Sequence, residues 1–170
     1  MGHSTRSLDE LVALLEWAGV TVVADVRTLP RSRRHPHFSG DALAASLPPR
    51  GIDYVHIPAL GGLRKPRRDS INTAWKNAGF RGYADHMQTP EFEAGLGILL
   101  AGARDGVVAV MCAEALPWKC HRTLLSDALA ARGVEVRHVM GSPGRPRLEP
   151  HELTAWARVK DGRVTYPGLG

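Results

Sequence analysis

Cysteine is nearly absent from this chain: there are two in 170 residues, Cys112 and Cys120. The pair lies within nine residues, and a loop that short constrains the unfolded state little, which argues against a structural disulfide. Thiol chemistry, metal binding or plain burial remain. Aromatic residues are scarce too, at 6%. Near the basic segments only Phe38 and Trp75 offer rings, thin material for a base-stacking platform. No apolar run approaches the roughly 20 residues of a membrane helix, which argues against a membrane partner. "MGHSTRSLDE" lacks the apolar stretch of a secretory signal, so the expected location is the cytoplasm. Its Gly2 matches a myristoylation motif only loosely.

What is present describes a folded chain. Hydrophobic residues make up 44% and charged residues 23%, which excludes a largely disordered protein. The length suits one domain over 1–170, with a core at about 2–140. A net charge of +5 favours an anionic partner, a small molecule or nucleic acid.

"STRSLDELVALLEWAG" predicts a helix: Ser7 and Glu10 form a capping box, Leu8, Leu11, Val12 and Leu15 share a face, and Gly19 ends it. "VTVVADVR" (20–27) and "VVAVMC" (107–112) are short β-branched runs of the kind buried on both faces of a sheet. "IDYVHIP" (52–58) reads as another strand, and "VEVRHVM" (134–140) as a last core strand. Helices are expected at "SGDALAASLPPRG", at "TPEFEAGLGILLAGARDG" with Thr89 as N-cap and Pro90 at N1, and at "CHRTLLSDALAARG". Residues 59–80 have no clear period and predict a long functional loop. Arg81, Tyr83, Asp85 and His86 fit a solvent-facing turn. In the tail (148–168), Pro150 suggests the start of a short helix, with Glu149, His151 and Glu152 at its surface. "VKDGRV" carries an Asp-Gly hairpin signal. Alternating strands and helices predict an α/β fold with a mainly parallel sheet flanked by helices.

Ligands of such sheets bind beyond the carboxyl ends of the strands. There the sequence delivers Asp25 and Arg27, then His56, then Cys112 and Glu114. Two basic runs follow successive strands: Arg31, Arg33 and Arg34 with His35 and His37, and then Arg64, Lys65, Arg67 and Arg68. Guanidinium forks match phosphate oxygens, so these runs and Arg27 are candidate anion-binding residues; a solvated basic face is the plainer alternative. His3 and Ser4 precede a capped helix, whose N-terminus also favours anions.

Cys120 falls at a predicted helix start beside Lys119 and Arg122, a setting that lowers a thiol pKa. His121 is a candidate base, and Asp25 and Glu114 are candidate acid/base groups. A phosphatase loop would place Arg after Cys112 and five intervening residues; that register holds Trp118, followed by Lys119. A metal site would use Cys112, Cys120 and His121 with His3 or Glu114. Adjacent Cys-His side chains converge poorly on one ion, and the spacing is not a standard zinc pattern.

The combination of "GHSTRSLDEL", "VVADVRTLPRSRRHPHF", "YVHIPALGG", "GFRGYADHMQTPEF", "MCAEALPWKCHR" and "GVEVRHV" resembles the bacterial family known as domain of unknown function 488. No activity and no cofactor follow from that resemblance. It implies that Cys112, Glu114, Cys120, His121 and Arg122 belong to one site, and it points also to His3, Ser4, Asp25 and Arg27. Members of that family carry a short apolar strand before the Gly-His-Ser element. Here Met1 directly precedes Gly2, so the sheet is expected to lack that strand and Gly2–Ser4 to be less ordered.

Three functions remain open on this reading. The first is an enzyme acting on a phosphate-bearing or nucleic-acid-related substrate. The second is a non-catalytic nucleotide- or nucleic-acid-binding module, and the third a metal-dependent site.

Overall fold

The computed structural model describes residues 1–168. Helix α1 (Leu8–Trp17) has the expected capping box: Ser7 Oγ accepts from Glu10 N, and the Glu10 carboxylate accepts from Ser7 N. Strand β1 (Val22–Asp25), helix α2 (Gly40–Ser46) and strand β2 (Asp53–His56) follow. Next come α3 (Ala78–His86), α4 (Pro90–Gly102), β3 (Val108–Met111) and α5 (Arg122–Ala130). Two hairpins complete the chain, β4 (Arg137–Ser142) with β5 (Arg145–Pro150), and β6 (Arg158–Lys160) with β7 (Arg163–Thr165).

The central sheet is parallel, in the order β2-β1-β3. Side-chain alternation splits its strands between two cores. Val23, Ala109 and Met111 pack with Leu11, Leu14 and Leu15 of α1 and Leu43 of α2. Ala24 and Val26 pack on the opposite face with Tyr83, Phe92, Leu96 and Leu124 from α3, α4 and α5. Helices on both faces explain why these strands read as unbroken apolar runs. The chain leaves β1 towards β2 and then crosses back to β3 on the other side. The carboxyl ends of β1 and β3 therefore flank the topological switch point, the place where open α/β sheets form crevices.

Four expectations are corrected, the last of them at the N-terminus. The segment 134–140 is not a core strand: β4 pairs antiparallel with β5, from Arg137↔Pro150 to Ser142↔Arg145. Charged Arg137, Arg145, Arg147 and Glu149 suit a two-stranded ribbon open to water better than a doubly covered sheet. Pro150 closes β5 rather than starting a helix, so the fold is α/β with one parallel sheet and two antiparallel ribbons. Third, 79–86 is not a solvent-facing turn. It forms α3, capped by the Asn77 side chain on Phe80 N, with Tyr83, Asp85 and His86 buried. The Asp161-Gly162 hairpin stands, and both turn residues have positive φ (51° and 73°), as a type I′ turn requires.

Gly2–Ser4 are docked rather than loose. Met1 N donates to Val110 O at 2.6 Å, and Gly2 bridges Cys112 in parallel register. His3 N donates to Cys112 O at 2.9 Å and Ser4 N to Ala113 O at 3.0 Å. These contacts form a stub of a fourth strand on β3. A Cβ at Gly2 would stand 1.7 Å from Glu114 O, so only glycine permits this approach. Beyond the stub, the edge of β3 lines a groove of about 520 Å³ walled by Leu99, Leu125, Leu129 and Val136.

Candidate functional site

Two polar nests form where β1 and β3 end. The first holds Asp25, fully buried, and Arg27. Arg27 Nε donates to Asp25 Oδ1 at 2.9 Å and Nη2 to Oδ2 at 2.5 Å, while Tyr54 Oη donates to Oδ2 at 2.7 Å. Burial, together with that bond to Asp25, pushes the Tyr54 hydroxyl pKa up. Arg27 Nη1 also faces His3 Nε2 at 3.4 Å, and His3 Nδ1 donates to Ser4 O at 3.0 Å. A permanent cation pointing at Nε2 keeps that nitrogen an acceptor. With burial as the larger cause, the His3 pKa falls to about 4.

The second nest is the thiol pair. Cys112 ends β3 and Cys120 precedes α5, with sulfurs 3.1 Å apart. Arg122 Nε donates towards each sulfur at 3.2 Å, and its Nη2 donates to Glu114 O. Hydrogen bonding from the Cys112 S–H, against burial and with the help of Arg122, drives the Cys120 pKa down; the same bond and burial drive Cys112 up.

An open cleft of about 370 Å³ is lined by His3–Thr5, Ser32–His35 and Ala113–Ala115; His3 links it to the first nest and Glu114 to the second. Its walls are the loops leaving β1 and β3, at the switch point.

The other candidates divide between cleft and scaffold. Arg33 and Arg34 are exposed on the cleft wall, whereas Arg31 is exposed outside the lining. Arg64 is held by Glu91 and by the carbonyls of Pro58 and Gly61. Glu114 brings its carbonyl, not its carboxylate, to Arg122; the carboxylate accepts from Leu116 N. His121 spends Nε2 on Val26 O at 3.2 Å and packs its ring 4.9 Å from Tyr83. Phe38 is fully buried under His3, and Trp75 packs against Phe80, Trp156 and Tyr166. Neither ring faces the cleft lining. Among the described residues no group of three or more His, Cys, Asp or Glu is arranged to hold a metal ion. No described helix is long and apolar enough to cross a membrane.

Two buried networks escaped the sequence reading. Asp85 accepts from Ser70 Oγ, Asn72 Nδ2 and Arg67 N, which pins the 59–77 loop to α3. Asp127, fully buried, accepts from His151 Nε2, Tyr166 Oη and Thr154 N, which pins the tail to α5. His151 Nδ1 in turn meets His138 Nε2 at 3.0 Å. The sequence signal was weak: each carboxylate draws its partners from segments far along the chain.

The family model described as domain of unknown function DUF488 matches residues 7–129. The chain belongs to the DUF488 family. The matched segment of this DUF488 chain includes Asp25, Arg27, both cysteines and Arg122; His3, Ser4, His138 and His151 lie outside it. No curated protein and no solved structure matches the chain at a significant level.

His3, which is buried, and His138, which is half-buried, should make the DUF488 chain sensitive to acid. Burial, chiefly, lowers the His138 pKa to about 4, as it does for His3. Unfolded histidines titrate near 6.5, so between roughly pH 6.5 and 4 the unfolded state binds more protons. Their contribution is complete above pH 6.5 and is lost as pH falls towards 4. Allowing for solvent screening, urea midpoints should fall by the equivalent of roughly 2 kcal/mol between pH 7 and 4.5. A flat profile across that window would contradict the neutral assignments.

Proposed function

We propose that this protein is an enzyme acting on a phosphate-bearing or nucleic-acid-related substrate held in the cleft between the β1 and β3 loops. The observation that carries this reading is the position of the cleft: it opens at the switch point with Arg33, Arg34 and the His3–Thr5 backbone on its walls. The two guanidinium groups make no ion pair among the described residues, so they are available for phosphate oxygens. Arg27 acts differently. Its charge is committed to Asp25, so it positions His3 in the cleft lining. The thiol pair is tied to the Ala113–Ala115 wall through Arg122, which donates to both sulfurs and to Glu114 O, and it is the candidate reactive group.

A non-catalytic anion-binding module is the second reading, favoured by the burial of both thiols. Thermal shift with pyrophosphate and with a short single-stranded oligonucleotide, at low and high salt, tests anion binding. At 100 times Kd a bound anion should add about 2.7 kcal/mol of stability. That gain should shrink as salt rises and disappear in Arg33→Ala/Arg34→Ala. No shift with either probe, or the same shift in the double variant, would overturn the cleft assignment. Binding without turnover of phosphate esters, unchanged in Cys120→Ser, would favour the module.

A further inference from the structure

The environment of Arg122 dictates the charge state of the thiol pair. Its side chain is buried, and among the described residues no carboxylate accepts from it. Its partners are Cys112 Sγ, Cys120 Sγ and Glu114 O. A buried guanidinium without a counter-anion is strongly disfavoured, and of these partners only a sulfur can carry negative charge. One thiolate therefore resides between the cysteines. Cys120 is the better host: the backbone N–H of Arg122 donates to its sulfur at 3.3 Å at the start of α5, whereas the Cys112 thiol has Glu114 O at 3.9 Å as an acceptor for its S–H. It is also the more accessible, at 8% against 4% exposure.

We propose that Cys120 and Cys112 form a peroxide-reducing pair, with Cys120 as the attacking thiolate and Cys112 as the resolving thiol. The Cys120 sulfur attacks the terminal oxygen of a hydroperoxide and the O–O bond breaks. The products are a Cys120 sulfenic acid and an alkoxide, or hydroxide from hydrogen peroxide, which takes a proton from the Cys112 thiol. The Cys112 thiolate then attacks the Cys120 sulfur. The S–S bond forms and hydroxide leaves, to be protonated by solvent. Two sulfurs supply two electrons, the peroxide accepts them, and an alcohol and water result. A sulfur separation of 3.1 Å means that little chain movement is needed for the second step. Because Arg122 stabilises the reduced, thiolate form, the disulfide should be readily reduced again by an external dithiol. This activity requires nothing of the anion cleft, so its failure and that of the cleft reading are separable.

The experiment is peptide mapping by mass spectrometry after brief treatment of the native protein with hydrogen peroxide near neutral pH. The peptide containing both cysteines should lose about 2 Da, and dithiothreitol should restore it. In Cys112→Ser the sulfenic acid should accumulate on Cys120, gaining about 16 Da and trapped by dimedone; in Cys120→Ser, Cys112 should stay unmodified. Unchanged thiols in the wild type under conditions that oxidise the unfolded chain would overturn the proposal. So would dimedone capture on Cys112 instead of Cys120. If a variant fails to fold, the wild-type map still decides: a dithiothreitol-reversible disulfide supports the pair, and over-oxidation of either sulfur without a disulfide refutes it.

Discussion

Asp25→Ala is expected to cost about 3–5 kcal/mol of unfolding free energy, the usual penalty for leaving one member of a buried ion pair alone. Asp25 accepts from Arg27 Nε, Nη2 and backbone N and from Tyr54 Oη, with no exposure to water. Removing the carboxylate strands a guanidinium and a phenol together at the carboxyl end of β1. For a chain of this size the thermal midpoint should fall by roughly 10 °C. Chemical denaturation with a conserved m-value is the check, and a loss below about 1 kcal/mol would contradict the buried pair. Asp25→Leu/Arg27→Met should recover much of the loss, because replacing both charges with apolar groups removes the desolvation cost as well as the attraction. If anion binding survives in that folded double variant, the Arg27 guanidinium does not hold the ligand.

Asp127→Ala should cost a similar amount, about 3–5 kcal/mol, through a different route. One carboxylate joins α5 to three points of the tail: His151 at 2.8 Å, Tyr166 at 2.7 Å and Thr154 N at 3.0 Å. Burial opposes its ionisation, but those hydrogen bonds outweigh burial and hold its pKa below the usual carboxylate range. Without it three donors, Tyr166 Oη buried and the other two half-buried, lose their acceptor. The readout is twofold: a lower urea midpoint, and new protease cleavage between the β5 and β6 strands. Asp127→Asn retains one acceptor oxygen and should fall between wild type and alanine. Equal protease resistance in all three proteins would show that the tail is held by other contacts.

How far the sequence foretold the site depended on distance along the chain. The capping box of α1, the Thr89 cap of α4 and the Asp-Gly hairpin are decided by neighbours within four residues, and each forms as its residues dictate. Strands β1 and β3 were legible because both their faces are covered, which writes a continuous apolar run; β2, a half-buried edge strand, was legible by its alternation. The polar segment 79–86 misled for the converse reason. Asp85 and His86 look like surface residues, yet they are buried because Ser70, Asn72 and the Ala59 carbonyl arrive to meet them.

Within the site, the sequence by itself determined that Asp25 and Arg27 share a strand end, that two cysteines bracket a turn before α5, and that basic residues follow the strands. Only the tertiary structure decided which charges are free. It locks Arg27 onto Asp25 and Arg64 onto Glu91, turns Arg122 towards the sulfurs, and leaves Arg33 and Arg34 on the cleft wall. The reason is physical. Composition fixes how many guanidinium groups a chain carries, but the partner of each is set by burial, where an unpaired charge is too costly to keep.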